Sequence, residues 1–248
     1  MKFKIQKFQS IDSTNKYALE NSHELENYTV ISAQHQTSGK GRKGRKWIST
    51  DGSNLYFSLI IKEPNIKTSE LSGIPQLMAL AVYKTLHKAG IKKSWIKWPN
   101  DVFVEDKKIC GILCESRFKG TEIDALIIGV GVNVNSSQEN LSQIDVPATS
   151  IHIESNDKAP YNSDELLHVI LNYFDKDYQT CLNENNRISF KEEWRNASNL
   201  IGKPVKLLDD EKEIFGTVAD FSTTGEIILQ TERGFQTYSY GDLSLRKV

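Results

Sequence analysis

The segment from Ile123 to Val134 constrains the fold of this chain more than any other, because nearly all of its residues are apolar. Such a strand is buried on both of its faces. The sheet that contains it is therefore expected to be covered on both sides. Helical spacing occurs in segments from Asp12-Ser13 to about Glu20, from Ser69 to Ala89, and from Asp164 to Leu182. Pro75 predicts a late start or a break in the second of them.

Shorter alternating or apolar segments are predicted to form the other strands of this sheet. They are Phe3–Phe8, Tyr28–Ala33, Leu55–Ile61, Trp95–Lys97, Val102–Val104 and Ile109–Glu115. From Ile201 onward the segments are short and β-like, which is typical of a small barrel. We therefore predict an α/β protein of the α+β type with two domains, residues 1–196 and residues 197–248.

Composition excludes several classes of protein. With 248 residues the chain can form one large hydrophobic core, or one such core and a second, smaller domain. Its net charge of -1 argues against a general nucleic-acid binder, which is more often basic over a whole face. No apolar run approaches the length of a membrane span, and the first residues lack the apolar region of a signal peptide. The few cysteines suit reduced thiols, so we expect a cytoplasmic protein without a membrane partner.

A glycine-rich cationic loop, Gly39 to Trp47, follows the second predicted strand. Glycines allow the backbone to approach a ligand closely, and successive N–H groups in such a loop bind anions. The Gly-x-Gly-x-x-Gly spacing is not followed by a helix start, so a dinucleotide fold is not favoured. A Walker loop is excluded because Arg45 and Lys46 follow Gly44. A solvated charged turn stays open as an alternative.

A second motif, Lys97-Trp98-Pro99-Asn100-Asp101, places a cation, a ring, an amide and a carboxylate on one short turn. A small core element rarely needs that mixture of side chains, whereas a nucleotide site does. The two motifs together predict a site for a ligand that carries phosphate or carboxylate groups.

These two motifs resemble the glycine- and arginine-rich loop and the KWPND signature of the biotin protein ligases. Further segments are similar to that family in the same order: Ile11–Asn15, Gln36, Lys107–Leu113 with Glu115, Ile128–Val134, Gly202–Leu207, Ile214–Gly216 and Gly241–Arg246. The resemblance covers nearly the whole chain. It implies a class II synthetase-like catalytic domain with a mixed sheet, followed by a small SH3-like β-barrel.

The resemblance also implies a reaction. In that family the carboxylate of biotin attacks the α-phosphate of ATP, with Mg²⁺ as cofactor, and forms biotinyl-5′-AMP. The acyl group then passes to a lysine of a biotin carboxyl carrier domain, for which an acyl-CoA carboxylase is the natural source. Because water would destroy the intermediate, the cationic loop is expected to close over it. Family members exist as monomers and as dimers, so a homodimer stays open.

The roles of individual residues follow from the same resemblance. Lys108 and Arg42 are the expected catalytic residues. The residues expected on the ATP side are Lys40, Arg42, Arg45, Trp47, Lys97, Asn100, Asp101 and Asn133, with Asp101 also a candidate ligand of Mg²⁺. The remaining expected binding residues are Ser13, Thr14, Asn15, Gln36, Gly39, Gly111, Gly129 and Gly131. Ser13, Thr14 and Gln36 suit the ureido ring of biotin, and Gly111, Gly129 and Gly131 are expected to leave room for the ligand. Lys40 departs from the arginine usual in the family, and lysine cannot offer a bidentate fork.

Two rival functions remain. A lipoyl or octanoyl ligase or transferase shares the same scaffold, although the 97–101 motif and the SH3-like tail argue against it. A non-enzymatic nucleic-acid-binding module would use the cationic loop together with Trp47. Too few residues precede Ser13 for the helix-turn-helix of bifunctional ligases, so a repressor role is not expected.

Overall fold

The computed structural model describes residues 1–49, 54–64, 66, 68–144, 146–155, 160–182, 187–209 and 212–245. Arg246, the last residue of the family-like tail, lies outside the described residues. The described chain forms one seven-stranded sheet and one five-stranded sheet. No helix among the described residues is long and apolar enough to cross a membrane.

The larger sheet contains both parallel and antiparallel pairs. Its strands are β1 (Lys4–Ile11), β2 (Thr29–Gln36), β3 (Leu55–Lys62), β4 (Ser94–Lys97), β5 (Asp101–Val104), β6 (Lys107–Lys119) and β7 (Glu122–Val132). Their order is β1-β2-β3-β7-β6-β5-β4, and only β1 and β2 pair in parallel. The apolar strand β7 lies in the middle, with Leu126, Ile127 and Ile128 almost fully buried. The predicted mixed sheet with a doubly buried strand is therefore confirmed.

Helices cover both faces of this sheet. They are α1 (Thr14–Glu20), α2 (Ile74–Lys88), α3 (Gln138–Leu141), α4 (Ile151–Glu154), α5 (Ser163–Leu182) and α6 (Arg187–Ala197). On one face, Ala18 of α1 packs in a small cluster with Ile60 and Ile127. On the other face, α2 and α5 contribute to the main core.

Local signals explain where the helices begin. The Ser13 hydroxyl accepts a hydrogen bond from the Lys16 N–H, and Ser13 is thereby the N-cap of α1. The late start of the second helix is confirmed, because Pro75 lies in the first turn of α2 and a 3₁₀ segment (Thr68–Gly73) precedes it. The sequence prediction missed α6. Its residues are mostly polar, so the spacing of its few apolar residues is a weak helical signal.

The smaller sheet is antiparallel and shares the main core. Its strands are β8 (Pro204–Asp209), β9 (Lys212–Phe221), β10 (Ile227–Thr231), β11 (Gly234–Tyr238) and β12 (Asp242–Leu245), in the order β11-β10-β9-β8-β12. Trp194 of α6 meets Phe221 of β9 edge-on, with ring centroids 5.9 Å apart. Trp98 donates a 3.0 Å hydrogen bond from Nε1 to the Gly225 carbonyl between β9 and β10. The small sheet is thereby held against the larger one, next to the 97–101 motif.

Candidate active site

Strand register brings distant motif residues into one row. Lys97 pairs with Asp101, Asp101 with Gly111, and Gly111 with Gly131 across β4, β5, β6 and β7. Residues directly opposite each other in a sheet point to the same face. The row therefore places a cation, a carboxylate and two glycines side by side, on the face that α1 covers.

A β-bulge brings Lys108 to the same face. The register between β5 and β6 shifts between Val102 and Phe103, so that Lys108 pairs with Phe103 while Gly111 pairs with Asp101. Without the shift, alternation would send Lys108 and Gly111 to opposite faces. The Lys108 ammonium lies 2.7 Å from Asp101 Oδ1, and only 23% of the side chain is exposed. Lys108 is therefore a half-buried site cation and not a surface residue of the hairpin turn.

The cationic loop closes on itself above this row. Gly41 N–H donates a 2.7 Å hydrogen bond to the Arg45 carbonyl, and Trp47 N–H donates a 2.9 Å bond to the Gly39 carbonyl. The Trp47 indole then lies against the glycines of β6 and β7. A Cβ atom would be 2.7 Å from this ring at Gly111 and 2.5 Å from it at Gly131. In this state the two glycines make room for the indole.

A carboxylate from the small sheet holds the arginines of the loop. Arg45 Nη2 lies 3.0 and 3.1 Å from the two oxygens of Asp242. Arg42 Nη1 lies 3.4 Å from Asp242 Oδ1 and donates hydrogen bonds to Asn100 Oδ1 (3.1 Å) and to the Gly241 carbonyl (3.2 Å). Asp242 therefore links the loop to β12, and both arginines are presented to the site on a fixed support.

The opposite end of the site is polar and nearly neutral. Gln36 Oε1 accepts hydrogen bonds from the Thr14 N–H (2.8 Å) and the Thr14 hydroxyl (3.1 Å). Asn15 donates through Nδ2 to the Leu113 carbonyl and to Glu115. A Cβ atom at Gly129 would lie 2.0 Å from Asn15 Oδ1, so that only glycine fits there.

One cavity of about 580 Å³ joins the cationic end to the polar end. That volume is typical of sites for small ligands. Of the residues expected from the sequence, the following line it: Ser13, Thr14, Asn15, Gln36, Lys40, Arg42, Arg45, Trp47, Lys97, Asn100, Asp101, Lys108, Gly111, Gly129, Gly131 and Asn133. Gly39, at the start of the loop, does not line this cavity, and a Cβ atom there would be 2.5 Å from the Trp47 carbonyl oxygen. That glycine therefore serves the closure of the loop.

Sequence reasoning missed several residues of the site. Those that line the cavity include Phe103, Ile144, Val146, Ala148, Asp242 and Leu243. Asp242 belongs to the family-like tail, but nothing in its local sequence points to a partner 200 positions away. Ile144, Val146 and Ala148 follow β7 in a stretch without helical or strand periodicity. No pattern in the sequence therefore predicts that they line a cavity.

Burial shifts the pKa of two site cations. It lowers the pKa of the Lys97 ammonium, and the neighbouring Asp101 carboxylate acts in the opposite direction. Burial also lowers the pKa of the Arg42 guanidinium, against the effect of Asp242. Desolvated cations gain most when an anionic ligand reaches them, because burial disfavours a charge without a partner.

The Asp242 contacts predict a measurable effect on the loop. Asp242→Asn keeps the size of the side chain but removes its ion pairs with both arginines. Because the pairs are partly exposed, their loss should lower the free energy of local loop opening by roughly 1 kcal/mol. Trypsin cleaves the open form, so we expect cleavage within Gly39–Lys46 of the ligand-free protein to become about fivefold faster. Asp220→Asn is the matched control, since Asp220 lies in β9 of the same small sheet and pairs with Lys191 of α6, away from the loop. Equal cleavage of Asp242→Asn and the unaltered protein would contradict the assigned contact.

Comparison with known proteins gives matches over both sheets. The model of the "Biotin/lipoate A/B protein ligase family" matches residues 7–133. The model of the "Biotin protein ligase C terminal domain" matches residues 200–246.

Individual relatives agree with those matches. The chain is 31% identical over 241 residues to "Bifunctional ligase/repressor BirA" of Escherichia coli, covering 95% of this chain and 72% of that protein. It is 26% identical to "Biotin--[acetyl-CoA-carboxylase] ligase" of Paracoccus denitrificans, over 91% of this chain and 93% of that protein. Among solved structures it resembles "Biotin protein ligase from Aquifex aeolicus in complex with biotin and ATP". That match has a TM-score of 0.84 and 28% identity, and covers 98% of this chain and 99% of the other.

Proposed function

Because this chain belongs to the biotin/lipoate A/B protein ligase family and is a biotin protein ligase that uses ATP, we propose how its residues divide the reaction between them. One observation carries the proposal: a single cavity has an uncharged amide and hydroxyl end and a cationic end. The uncharged end suits the ureido ring of biotin. The cationic end suits its carboxylate and the phosphates of ATP.

The first step joins two anions. A carboxylate oxygen of biotin forms a bond to the α-phosphorus of ATP, and the bond from that phosphorus to the bridging oxygen breaks, which releases pyrophosphate. Lys108, 2.7 Å from Asp101, is the cation nearest the reacting groups in this proposal. Its ammonium stabilises the negative charge that accumulates as the two anions meet. Lys97 supports the same region from the other side of Asp101.

The loop arginines hold the product of the first step. Arg42 and Arg45 face the phosphate end, where Asp242 and the Gly241 carbonyl fix their orientation. Trp47 covers the adenine side once the indole leaves the glycines of the sheet. Closure of this loop keeps water from the mixed anhydride.

Transfer to protein is the second step. The ε-amine of a lysine on a biotin carboxyl carrier domain attacks the acyl carbon of biotinyl-5′-AMP. The bond between that carbon and the phosphate oxygen breaks, AMP leaves, and the amine loses a proton. The carrier domain of an acyl-CoA carboxylase is the acceptor we propose.

The residues at the phosphate end also fit Mg²⁺. Among the described residues, no group of three or more His, Cys, Asp or Glu side chains could hold a metal ion. Mg²⁺ prefers one or two carboxylates together with phosphate oxygens, and Asp101 supplies one carboxylate at the site. Bound there, the ion would neutralise phosphate charge.

Pyrophosphate exchange tests the first step directly. The protein, Mg-ATP and labelled pyrophosphate should form labelled ATP only when biotin is present. Lipoate or octanoate in place of biotin should give no exchange above background. Exchange that depends on lipoate, or that needs no added acid, would overturn the proposal. Transfer is then tested with a biotin carboxyl carrier domain and its variant in which arginine replaces the acceptor lysine.

Gly129 provides a prediction for the biotin end. In Gly129→Ala the new methyl group would displace the Asn15 amide, because the two cannot occupy the same space. We expect biotin to bind roughly 10- to 100-fold more weakly, the loss of one or two hydrogen bonds to fixed partners. The Kd of ATP, measured separately by calorimetry, should change less than about twofold. Unchanged affinity for biotin would remove Asn15 from the biotin end.

A further inference from the structure

The backbone of Lys108 lies beyond the end of the neighbouring strand β7. That strand ends at Val132, which pairs with Cys110 of β6. Lys108 comes two residues before Cys110, so the ladder between β6 and β7 does not reach it. Lys108 also lies next to the bulge between β5 and β6. A slip of one position there would send the ammonium to the opposite face of the sheet, so this backbone needs another partner.

Residues 147–149 take the place of β7 beside Lys108. The Lys108 N–H donates a 2.8 Å hydrogen bond to the Pro147 carbonyl, and the Lys108 carbonyl accepts a 2.9 Å bond from the Thr149 N–H. The two chains run parallel here, with Ala148 opposite Lys108. This short segment therefore fixes the Lys108 backbone, and with it the face to which the ammonium points.

Thr149 ties this segment to its surroundings. Its carbonyl accepts a 3.0 Å hydrogen bond from Asn133 Nδ2, and its hydroxyl donates a 2.6 Å bond to Glu154 Oε1 of α4. Pro147 and Ala148 have no polar side chain, so a side-chain hydrogen bond from the segment can come only from Thr149. Thr149 and Asn133 are 0% and 3% exposed, so water hardly competes for these bonds.

We propose that Thr149 is a positioning residue for adenylate formation, which with Glu154 holds the Lys108 backbone so that the ammonium points into the cavity. This rests on the proposed role of Lys108 and deepens it. Thr149 itself does not line the cavity, so it acts through Lys108 and not on a ligand. Such an effect can be large, because a misplacement of about 1 Å can lower a rate by about 10²-fold.

Thr149→Val tests the inference, because it removes the hydroxyl and keeps the size of the side chain. We expect single-turnover formation of biotinyl-5′-AMP to slow about tenfold, less than in Lys108→Ala, since the ammonium is still present but less well placed. The Kd of biotin should change less than about twofold, because the uncharged end of the cavity does not depend on this segment. Thr149→Ser keeps a hydroxyl and should restore most of the rate.

Glu154 provides a second pair of variants. Its side chain is 20% exposed, so its replacement should not prevent folding. Glu154→Ala removes the acceptor of the Thr149 hydroxyl and should slow adenylate formation about as much as Thr149→Val does. Glu154→Gln keeps an acceptor oxygen and should retain most of the rate.

A double-mutant cycle separates positioning from a general loss of structure. In the Lys108→Ala background, Thr149→Val should change the rate less than about twofold, because the ammonium that it positions is gone. Thr85→Val is the matched control, since the buried Thr85 hydroxyl bonds to the Ala81 carbonyl within α2, outside the cavity. It should leave the rate within about twofold, as expected of a site without a shared partner.

The outcomes distinguish this inference from the proposed function. If Thr149→Val forms adenylate as fast as Thr85→Val, or slows it by the same factor with and without the Lys108 ammonium, Thr149 does not position Lys108 and the inference is wrong. Weaker biotin binding by the same factor as the loss of rate would also overturn it. If the unaltered protein forms no biotinyl-5′-AMP, the proposed function fails, and this inference fails with it.

Discussion

Lys108→Ala should lower the rate of biotinyl-5′-AMP formation by about 10²-fold or more, which is the effect of losing one preorganised donor at a developing charge. The half-buried ammonium lies 2.7 Å from Asp101 and 5.4 Å from the centre of a Trp47 ring, and Lys108 lines the cavity. Biotin binding should weaken less than the rate, because the ureido ring contacts other residues. Single-turnover formation of the adenylate, with the Kd of biotin measured alongside, separates the two quantities.

Lys107→Ala provides the control for this experiment. Lys107 is the preceding residue of β6, and its closest carboxylate is Glu154 at 3.9 Å. Its loss should leave the rate of adenylate formation within about twofold, since a partly exposed pair 3.9 Å apart contributes little. A Lys108→Ala protein that forms adenylate as fast as Lys107→Ala would remove Lys108 from the mechanism.

The second large effect concerns retention of the intermediate. Arg42→Gly removes a guanidinium with contacts to Asn100, Gly241 and Asp242, and it adds another glycine beside Gly41. Charge-assisted contacts of this kind are worth about 1.5–3 kcal/mol, so biotinyl-5′-AMP should escape roughly ten- to a hundredfold faster. The free anhydride would then acylate exposed lysines of any protein.

Biotin incorporated into albumin measures that escape. Arg42→Gly, biotin and Mg-ATP should label albumin strongly, whereas the unaltered enzyme should label it weakly. Lys43→Gly is the control, because Lys43 is exposed and has a φ of 51°, which glycine adopts easily. This substitution also adds one glycine to the loop, but it leaves Arg42 in place. If Arg42→Gly still makes the adenylate but labels albumin no more than Lys43→Gly, Arg42 does not retain the intermediate.

The sequence by itself determined those parts of the protein that depend on local patterns. Apolar composition from Ile123 to Val134 predicted the central strand, and helical spacing from Asp12-Ser13 predicted the start of α1. The glycine-rich loop and the 97–101 motif predicted the position of the candidate site. Their charged and amide side chains are rarely needed in an apolar core. Each of these signals lies within one segment, where spacing and composition are directly visible.

Only the tertiary structure decided which of these segments meet, and on which face. In a regular strand, side chains alternate between the two faces, so Lys108 would point to the face opposite Gly111. The register shift opposite Val102 and Phe103 instead brings Lys108 to the same face as Gly111. Asp242 reaches Arg42 only because the small sheet packs beside the 97–101 motif. Glu115 accepts a hydrogen bond from Asn15, 100 positions away. Register shifts and contacts between remote segments depend on packing of the whole core, so no local pattern in the sequence reports them.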